Sequence, residues 1–227
     1  MKRLLLAVVG TLAVAVTSTS AADMPPSRSL PLPRAPAYVP FFTWNGFYVG
    51  INAGYGFGHS AWTDTVTQDS TGNFSVKGPM VGATAGYNLQ FGTFVLGLEG
   101  DLDWTNIKGS VTANCPSTCE TSNTWLGTAR GRIGYAFDRF MPYATAGGAF
   151  GDVKGSLLGV GDFKQTRAGW TAGGGIEYAF IGNWSAKVEY LYVDLGKATC
   201  DATCSGGNPI TATFKSNVVR GGLNYKF

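Results

Sequence analysis

The 227-residue chain is short of charge: Asp, Glu, Lys and Arg make up 14% of it, against roughly 25% in a typical soluble domain. Removing Lys2 and Arg3 with the leader described below leaves 15 basic residues (17 − 2) against 14 acidic ones. A chain this close to neutral has no electrostatic basis for binding nucleic acid, and no such partner is expected. There is a single histidine, His59, so a metal centre built on several histidines is excluded. Nothing after the first 22 residues is long and apolar enough for a transmembrane helix, which needs about 20 apolar residues. Proline is scarce outside one stretch, where Pro25, Pro26, Pro31, Pro33, Pro36 and Pro40 account for six of the ten.

What the chain does have is glycine, with 33 residues, and aromatics, at 13%. Glycine-rich, aromatic-rich and low in charge, without an apolar helix, is how a transmembrane β-barrel reads. The N-terminus is consistent with export. Lys2 and Arg3 form a basic start, Leu4 to Val16 a short apolar run, and Ser20, Ala21 and Ala22 a small-residue cleavage site. Residues 1–22 therefore read as a signal peptide, the run being too short to anchor the chain. Residues 23–43 read as a proline-rich linker of extended conformation, and residues 44–227 as the folded domain.

From Gly46 the residues alternate with period 2. Phe47, Val49, Ile51, Ala53, Tyr55 and Phe57 share one face of a first strand, and Tyr48, Asn52 and glycines the other. In the second, Val81, Ala83, Ala85, Tyr87, Leu89 and Phe91 oppose Thr84, Asn88 and Gln90. In the third, Phe94, Leu96, Leu98, Leu102 and Trp104 oppose Glu99, Asp101 and Asp103, and in the fourth Trp125, Ala129, Ile133, Tyr135 and Phe137 oppose Thr128, Arg130 and Arg132. The fifth, Phe140 to Gly151, is mostly small residues, with Pro142, Ala144, Ala146 and Phe150 assigned outward. The sixth sets Trp170, Ile176, Tyr178 and Phe180 against Thr171 and Glu177. The seventh sets Trp184, Val188, Tyr190 and Tyr192 against Ser185, Lys187 and Glu189. The last ten residues close the set, with Val219, Leu223, Tyr225 and Phe227 on one face and Arg220, Gly222, Asn224 and Lys226 on the other. Alternation puts successive side chains on opposite faces, so the chain predicts an all-β, eight-stranded, antiparallel up-and-down transmembrane barrel, apolar outside and charged inside. A lipocalin-like soluble barrel would alternate in the opposite sense.

The connections alternate in length as well. Tight turns at 91–94, 137–140 and 180–184 are bracketed by aromatics, as a membrane-interface girdle would be. Long polar segments are expected at His59–Val76, Asn106–Asn123, Asp152–Gln165 and Gly196–Thr213. Short periplasmic turns and long external loops are the habit of outer-membrane barrels, which puts both chain termini on the periplasmic side and outer-membrane lipid and lipopolysaccharide around the wall.

The inner faces carry five acids, Glu99, Asp101, Asp103, Glu177 and Glu189, and five bases, Arg130, Arg132, Lys187, Arg220 and Lys226. The interior of an eight-stranded barrel is just wide enough for side chains to fill, and an unpaired buried charge is very costly. An ion-pair network filling the lumen is the expectation; a narrow pore for small solutes is the alternative. Cys115, Cys119, Cys200 and Cys204 form two C-x₃-C pairs in the long connections. An exported protein meets oxidising surroundings, so they are disulfide candidates, within each pair or across the two. The spacing also suits zinc, and the sequence does not choose. His59 beside Ser60 is the closest approach to a nucleophile and base, as an outer-membrane lipid-modifying barrel enzyme would need, but no acidic orienter accompanies it. Gly54 to Gly58 imitates a phosphate-binding loop without the helix that completes one. No catalytic residue, cofactor or metal is expected.

Several stretches are familiar: Trp44-Asn-Gly-Phe-Tyr-Val-Gly50, Gly127-Thr-Ala-Arg-Gly-Arg-Ile-Gly-Tyr-Ala-Phe137, Met141-Pro-Tyr143 and Trp184 to Gly196. Together they resemble the alphaproteobacterial outer-membrane β-barrel family, the outer-membrane immunogenic or porin-family proteins. The resemblance implies an eight-stranded barrel in the outer membrane of a Gram-negative bacterium, with loops exposed to host or environment, and it implies no catalytic residues. The terminal pattern of Arg220, Gly222, Tyr225 and Phe227 resembles the signal read by the outer-membrane assembly machinery, which makes that machinery an expected partner.

Overall fold

The computed structural model of the chain describes residues 42–112, 118–157, 161–200 and 208–227, and of residues 157, 161–163 and 200 it describes the backbone only. The signal-peptide, linker, Cys115 and Cys204 readings fall outside these residues, apart from the linker's last two positions. The described chain is eight strands: β1 (Gly46–Asp64), β2 (Phe74–Phe91), β3 (Phe94–Val111), β4 (Cys119–Tyr135), β5 (Phe140–Leu157), β6 (Gly161–Ile181), β7 (Trp184–Cys200) and β8 (Ile210–Lys226). Each pairs antiparallel with its sequence neighbour. β1 also pairs with β8, from Tyr48 opposite Lys226 to Asp64 opposite Ile210, and the sheet closes into a barrel. Closure leaves no unpaired edge, which is the condition for carrying a sheet through hydrocarbon.

The tight turns at Gly92, Asp138 and Gly182 each begin on a positive φ, of 63°, 54° and 53° respectively. A two-residue link between right-twisted strands asks for this backbone. The outer face is the apolar one foreseen from the alternation: Ile51, Leu98, Trp104, Ile133 and Val188 are all exposed. The outward assignment for β5 holds too, with Ala144, Ala146 and Phe150 exposed and Met141 and Tyr143 buried. On β3 the apolar outward run extends from Phe94 to Trp104, and on β1 from Phe47 to Phe57. These spans match the 9–11 residues a tilted membrane strand needs.

The strands do not stop there, and this corrects the expected loop boundaries. β1 runs on to Asp64 and β2 starts at Phe74, β3 continues to Val111, and β8 begins at Ile210. Past the second girdle the two faces exchange character. Outward positions become polar, as at His59, Lys77, Asn106 and Lys108, while Trp62, Phe74, Val76, Ile107, Leu195 and Phe214 turn inward and are buried. Polar outward residues there read as loop because they continue a strand whose apolar side has changed from lipid to core.

Candidate functional site

The inward residues stack in three layers. At the tight-turn end Trp44, Val95, Ala136, Met141, Tyr143 and Ala179 pack together with Phe42. Trp44 is held under the barrel by two contacts: its N–H donates to Gln90 Oε1 at 2.7 Å and its indole Nε1–H to the Asp138 carbonyl at 2.9 Å. At the long-loop end a larger apolar layer includes Met80, Ile107, Leu126, Leu191, Val193, Leu195, Phe214 and Val218. The charges lie between the two.

There, nine of the ten predicted lumen residues form one network. Arg130 pairs with Glu99 at 2.5 Å, Asp101 at 2.8 Å and Glu189 at 3.0 Å. Arg220 Nη1 donates to Asp101 and Asp103, both at 2.9 Å, and Nη2 reaches Glu189 at 2.7 Å. Arg132 holds Glu177 at 2.6 Å and Glu99 at 3.5 Å, and Lys187 holds Glu99 at 2.8 Å. Planar guanidinium groups suit this sharing, since each offers five donors in a fixed fork. The alternation of the strands supplies the layout: Glu99 stands opposite Arg130 across β3 and β4, and Glu189 opposite Arg220 across β7 and β8.

Lys226 is the exception and corrects the expectation. It sits at the tight-turn rim, half-buried, with its ammonium donating to the Thr43 carbonyl and lying 4.4 Å from the centre of the Phe42 ring. Its parity is inward, but β8 ends there and the rim is closed by the chain preceding β1. Five carboxylates are therefore left with four cations. The odd one is Asp103, fully buried, with one oxygen on Arg220 and Oδ1 without a hydrogen-bond partner. Oδ1 fills the space of an absent side chain: a Cβ on Gly82 would lie 2.1 Å from it. The other residues of the terminal pattern are split between wall and lumen, with Tyr225 packed on Trp184 and Phe227 in the girdle and Gly222 against the Lys187 stem.

Neutral side chains complete the network; Tyr48, Thr128, Ser185 and Asn224 were placed inward by the alternation but were not expected as partners of the charges. Tyr48 donates to Glu99 at 2.7 Å and accepts from Arg132 at 3.0 Å, and Tyr143 donates to Glu189 at 3.0 Å with its ring 4.2 Å from the Arg132 guanidinium carbon. Ser185 and Asn224 donate to Glu177 at 2.6 and 2.8 Å, and Thr128 to Asp101 at 2.8 Å. Tyr48 had an inward parity that could have flagged it, whereas Tyr143 lies in the strand with the weakest pattern. Asp152 was also missed. It is buried where β4 loses register between Ser122 and Leu126, and it accepts from the backbone N–H groups of Thr124 and Trp125 at 2.8 and 3.0 Å. An acceptor at that point satisfies donors that the bulge removes from the ladder.

His59 and Ser60 face opposite sides of β1. His59 is exposed, and Ser60 is buried with its hydroxyl 3.1 Å from that of Thr121. They cannot act as a nucleophile and base together. Cys119 is buried at the start of β4 and is disulfide-bonded. Among the described residues no cluster of His, Cys, Asp and Glu could hold a metal ion.

A closed barrel, apolar where lipid would touch it and charge-packed within, is an integral membrane β-barrel. The chain belongs to the outer membrane protein β-barrel domain family, whose sequence model matches residues 9–227. It is 38% identical over 249 aligned positions to the 31 kDa outer-membrane immunogenic protein of Brucella melitensis biotype 1, covering 100% of both chains. It is 32% identical to the 22 kDa outer membrane protein of Rhizobium leguminosarum bv. viciae over 83% of this chain and 80% of that one. Among solved structures it resembles the outer membrane protein OprG from Pseudomonas aeruginosa, with a TM-score of 0.51 and 15% identity over 81% of this chain and 96% of that one, a likeness of fold alone. The protein is thus an integral outer-membrane barrel of a Gram-negative bacterium, with an ion-pair network in its lumen.

Proposed function

We propose that this barrel is a closed structural and surface protein rather than a pore or an enzyme. Its long loops meet the environment or a host, and both termini lie in the periplasm. The observation that carries the reading is the three-layer interior. Glu189 and Arg220 are only 1% and 2% exposed, and an apolar layer lies beyond them in each direction, so a hydrated ion has no continuous polar path. The names of the relatives, outer-membrane immunogenic proteins, fit display at the surface and attach no chemistry to the family. An epitope inserted after Gly72, in the connection between β1 and β2, is expected to bind antibody on intact cells. Binding only after permeabilisation would reverse the orientation.

Insertion by the assembly machinery is part of this reading. The Phe227 N–H donates to the Phe47 carbonyl at 2.9 Å, and its ring packs on Phe47 and Tyr225 at 5.8 and 5.2 Å. Removing Phe227 takes away both the terminal aromatic of the signal and the clasp between β1 and β8. The yield of heat-modifiable protein in the outer membrane is expected to fall; an undiminished yield would separate this terminus from assembly.

A further inference from the structure

The closure that carries the sheet through hydrocarbon does not reach the strand tips. β6 and β7 pair from Ile181 opposite Trp184 up to Trp170 opposite Asp194, and among the described residues their ladder ends there. Both strands run on. β6 stays paired with β5 as far as Gly161 opposite Leu157, and β7 with β8 as far as Cys200 opposite Ile210. Beyond the apolar band the wall is therefore slit, between residues 161–169 of β6 and 195–200 of β7. The cause is local. Gly196 has a φ of 70°, the Asp194 carboxylate accepts its N–H at 2.8 Å, and β7 shifts register against β8 between Asp194 and Lys197. A left-handed glycine at a bulge bends its strand and can end its pairing, here on the β6 side. One side chain spans the gap: the Gln165 amide donates to the Thr199 carbonyl at 2.8 Å and accepts from Arg167 Nη2 at 2.5 Å.

A strand edge presents alternate N–H and C=O groups as a template for another chain. The side chains beside this edge select which chain. Lys164 is exposed on the outer face and stands opposite Lys154 of β5, Arg167 is half-buried on the inner face, and Lys197 is exposed across the slit. The nearby acids Asp152 and Asp194 lie 3.6 and 3.5 Å from Lys154 and Lys215, and Asp162 belongs to the far tip of β6. Among the described residues Lys164, Arg167 and Lys197 join no ion pair. A second copy pairing by the same edge would bring Lys164 and Arg167 against their own kind, which is unfavourable across a sheet. Carboxylates on an added strand would answer all three cations.

We propose that the free edge of β6, with Lys164, Arg167 and Lys197, is a docking site for an extended acidic peptide of a partner protein, which adds as a strand in the slit and displaces the Gln165 bridge. This names a partner class for the surface role proposed above; the side of the membrane it comes from rests on that reading, and the slit does not. Full protein in a neutral detergent is titrated with a peptide of alternating threonine and glutamate, the same peptide with its main-chain nitrogens methylated, and its glutamine counterpart. Methylation removes the ladder donors and glutamine the charge, so the first is expected to bind at least about tenfold more tightly than either. It is also expected to slow amide exchange in residues 164–169. Gln165→Ala is expected to tighten binding about fivefold, the worth of one hydrogen bond given up on docking. Lys164→Gln with Arg167→Gln is expected to weaken it roughly tenfold, with Lys108→Gln as the unaffected control. Each variant is titrated as heat-modifiable, folded protein, so a failure to fold is not read as lost binding. No saturable binding, equal affinity for the methylated or the glutamine peptide, protection confined to other strands, or an affinity within twofold of the parent in either variant would each overturn the proposal. Micelles have no sidedness, so an orientation error is read only by the Gly72 epitope and leaves this result standing.

Discussion

Arg130 gives up all its exposure to touch three carboxylates, and its Nε also donates to Thr128 at 2.9 Å. Removing one member of a buried ion pair typically costs about 3–5 kcal/mol, because the partner charge is left behind. Arg130→Ala is expected to lose that much, since apolar layers above and below keep water from replacing the guanidinium. Glu99→Gln in the same molecule should return part of the loss, a coupling of about 0.5–3 kcal/mol between directly bonded groups. Unfolding free energies in lipid vesicles test this; strictly additive losses would mean the two residues do not act on each other. Most of this network was legible because a period of 2 assigns faces and charges among lipid-facing aromatics stand out. Lys226 misled because parity says which face a residue is on and not how deep it lies. Tyr48 and Tyr143 escaped the network, though parity puts both inward, because the network was read by balancing formal charges and a neutral hydroxyl adds nothing to that balance.

At the scale of a strand, the inward glycines are what let large side chains cross the lumen. A Cβ on Gly86 would lie 2.4 Å from both Cζ and the hydroxyl oxygen of Tyr48, whereas one on the outward Gly100 would meet nothing nearer than the Thr128 carbonyl at 3.7 Å. Gly86→Leu should therefore push Tyr48 off Glu99 and destabilise by about 1–3 kcal/mol, the usual range for overpacking, while Gly100→Ala should leave stability nearly unchanged. Thermal loss of the heat-modifiable form would rank them; equal midpoints would show that Tyr48 can move freely. The strands also explain why their far ends, such as residues 59–64 of β1 and 106–111 of β3, were read as loops. Alternation persists from Phe47 to Asp64, but lipid requires apolar outside in the lower half and water requires polar outside in the upper half. The same period with its polarity exchanged looks like a break when apolar residues are taken to mark the lipid face. The positions of the turns were legible throughout because aromatics bracket them.

For the whole molecule, the question left by the composition was whether a barrel of this size conducts. Eight strands leave an interior that side chains can just fill, and here they fill it in series: an apolar cap with Trp44, a charged middle, and an apolar layer built on Ile107, Leu126, Leu191 and Val218. An ion would have to displace a packed apolar layer, enter a network in which most carboxylates are already bound to cations, and displace a second layer. The wild-type protein in a planar bilayer is therefore expected to show no steady ohmic current. Arg130→Ala should lose stability first and conduct, if at all, only as brief irregular openings, because the apolar layers remain. Truncating Leu191 and Trp44 to alanine in the Arg130→Ala background takes one large side chain out of each of the three layers and is the variant expected to pass the most current. A narrow pore predicts the opposite order: a steady current in the wild type, and an Arg130→Ala protein of unchanged stability with altered ion preference. Single-channel recording and unfolding measurements on the same preparations separate the two, and a steady wild-type channel would replace the closed barrel with the small-solute pore.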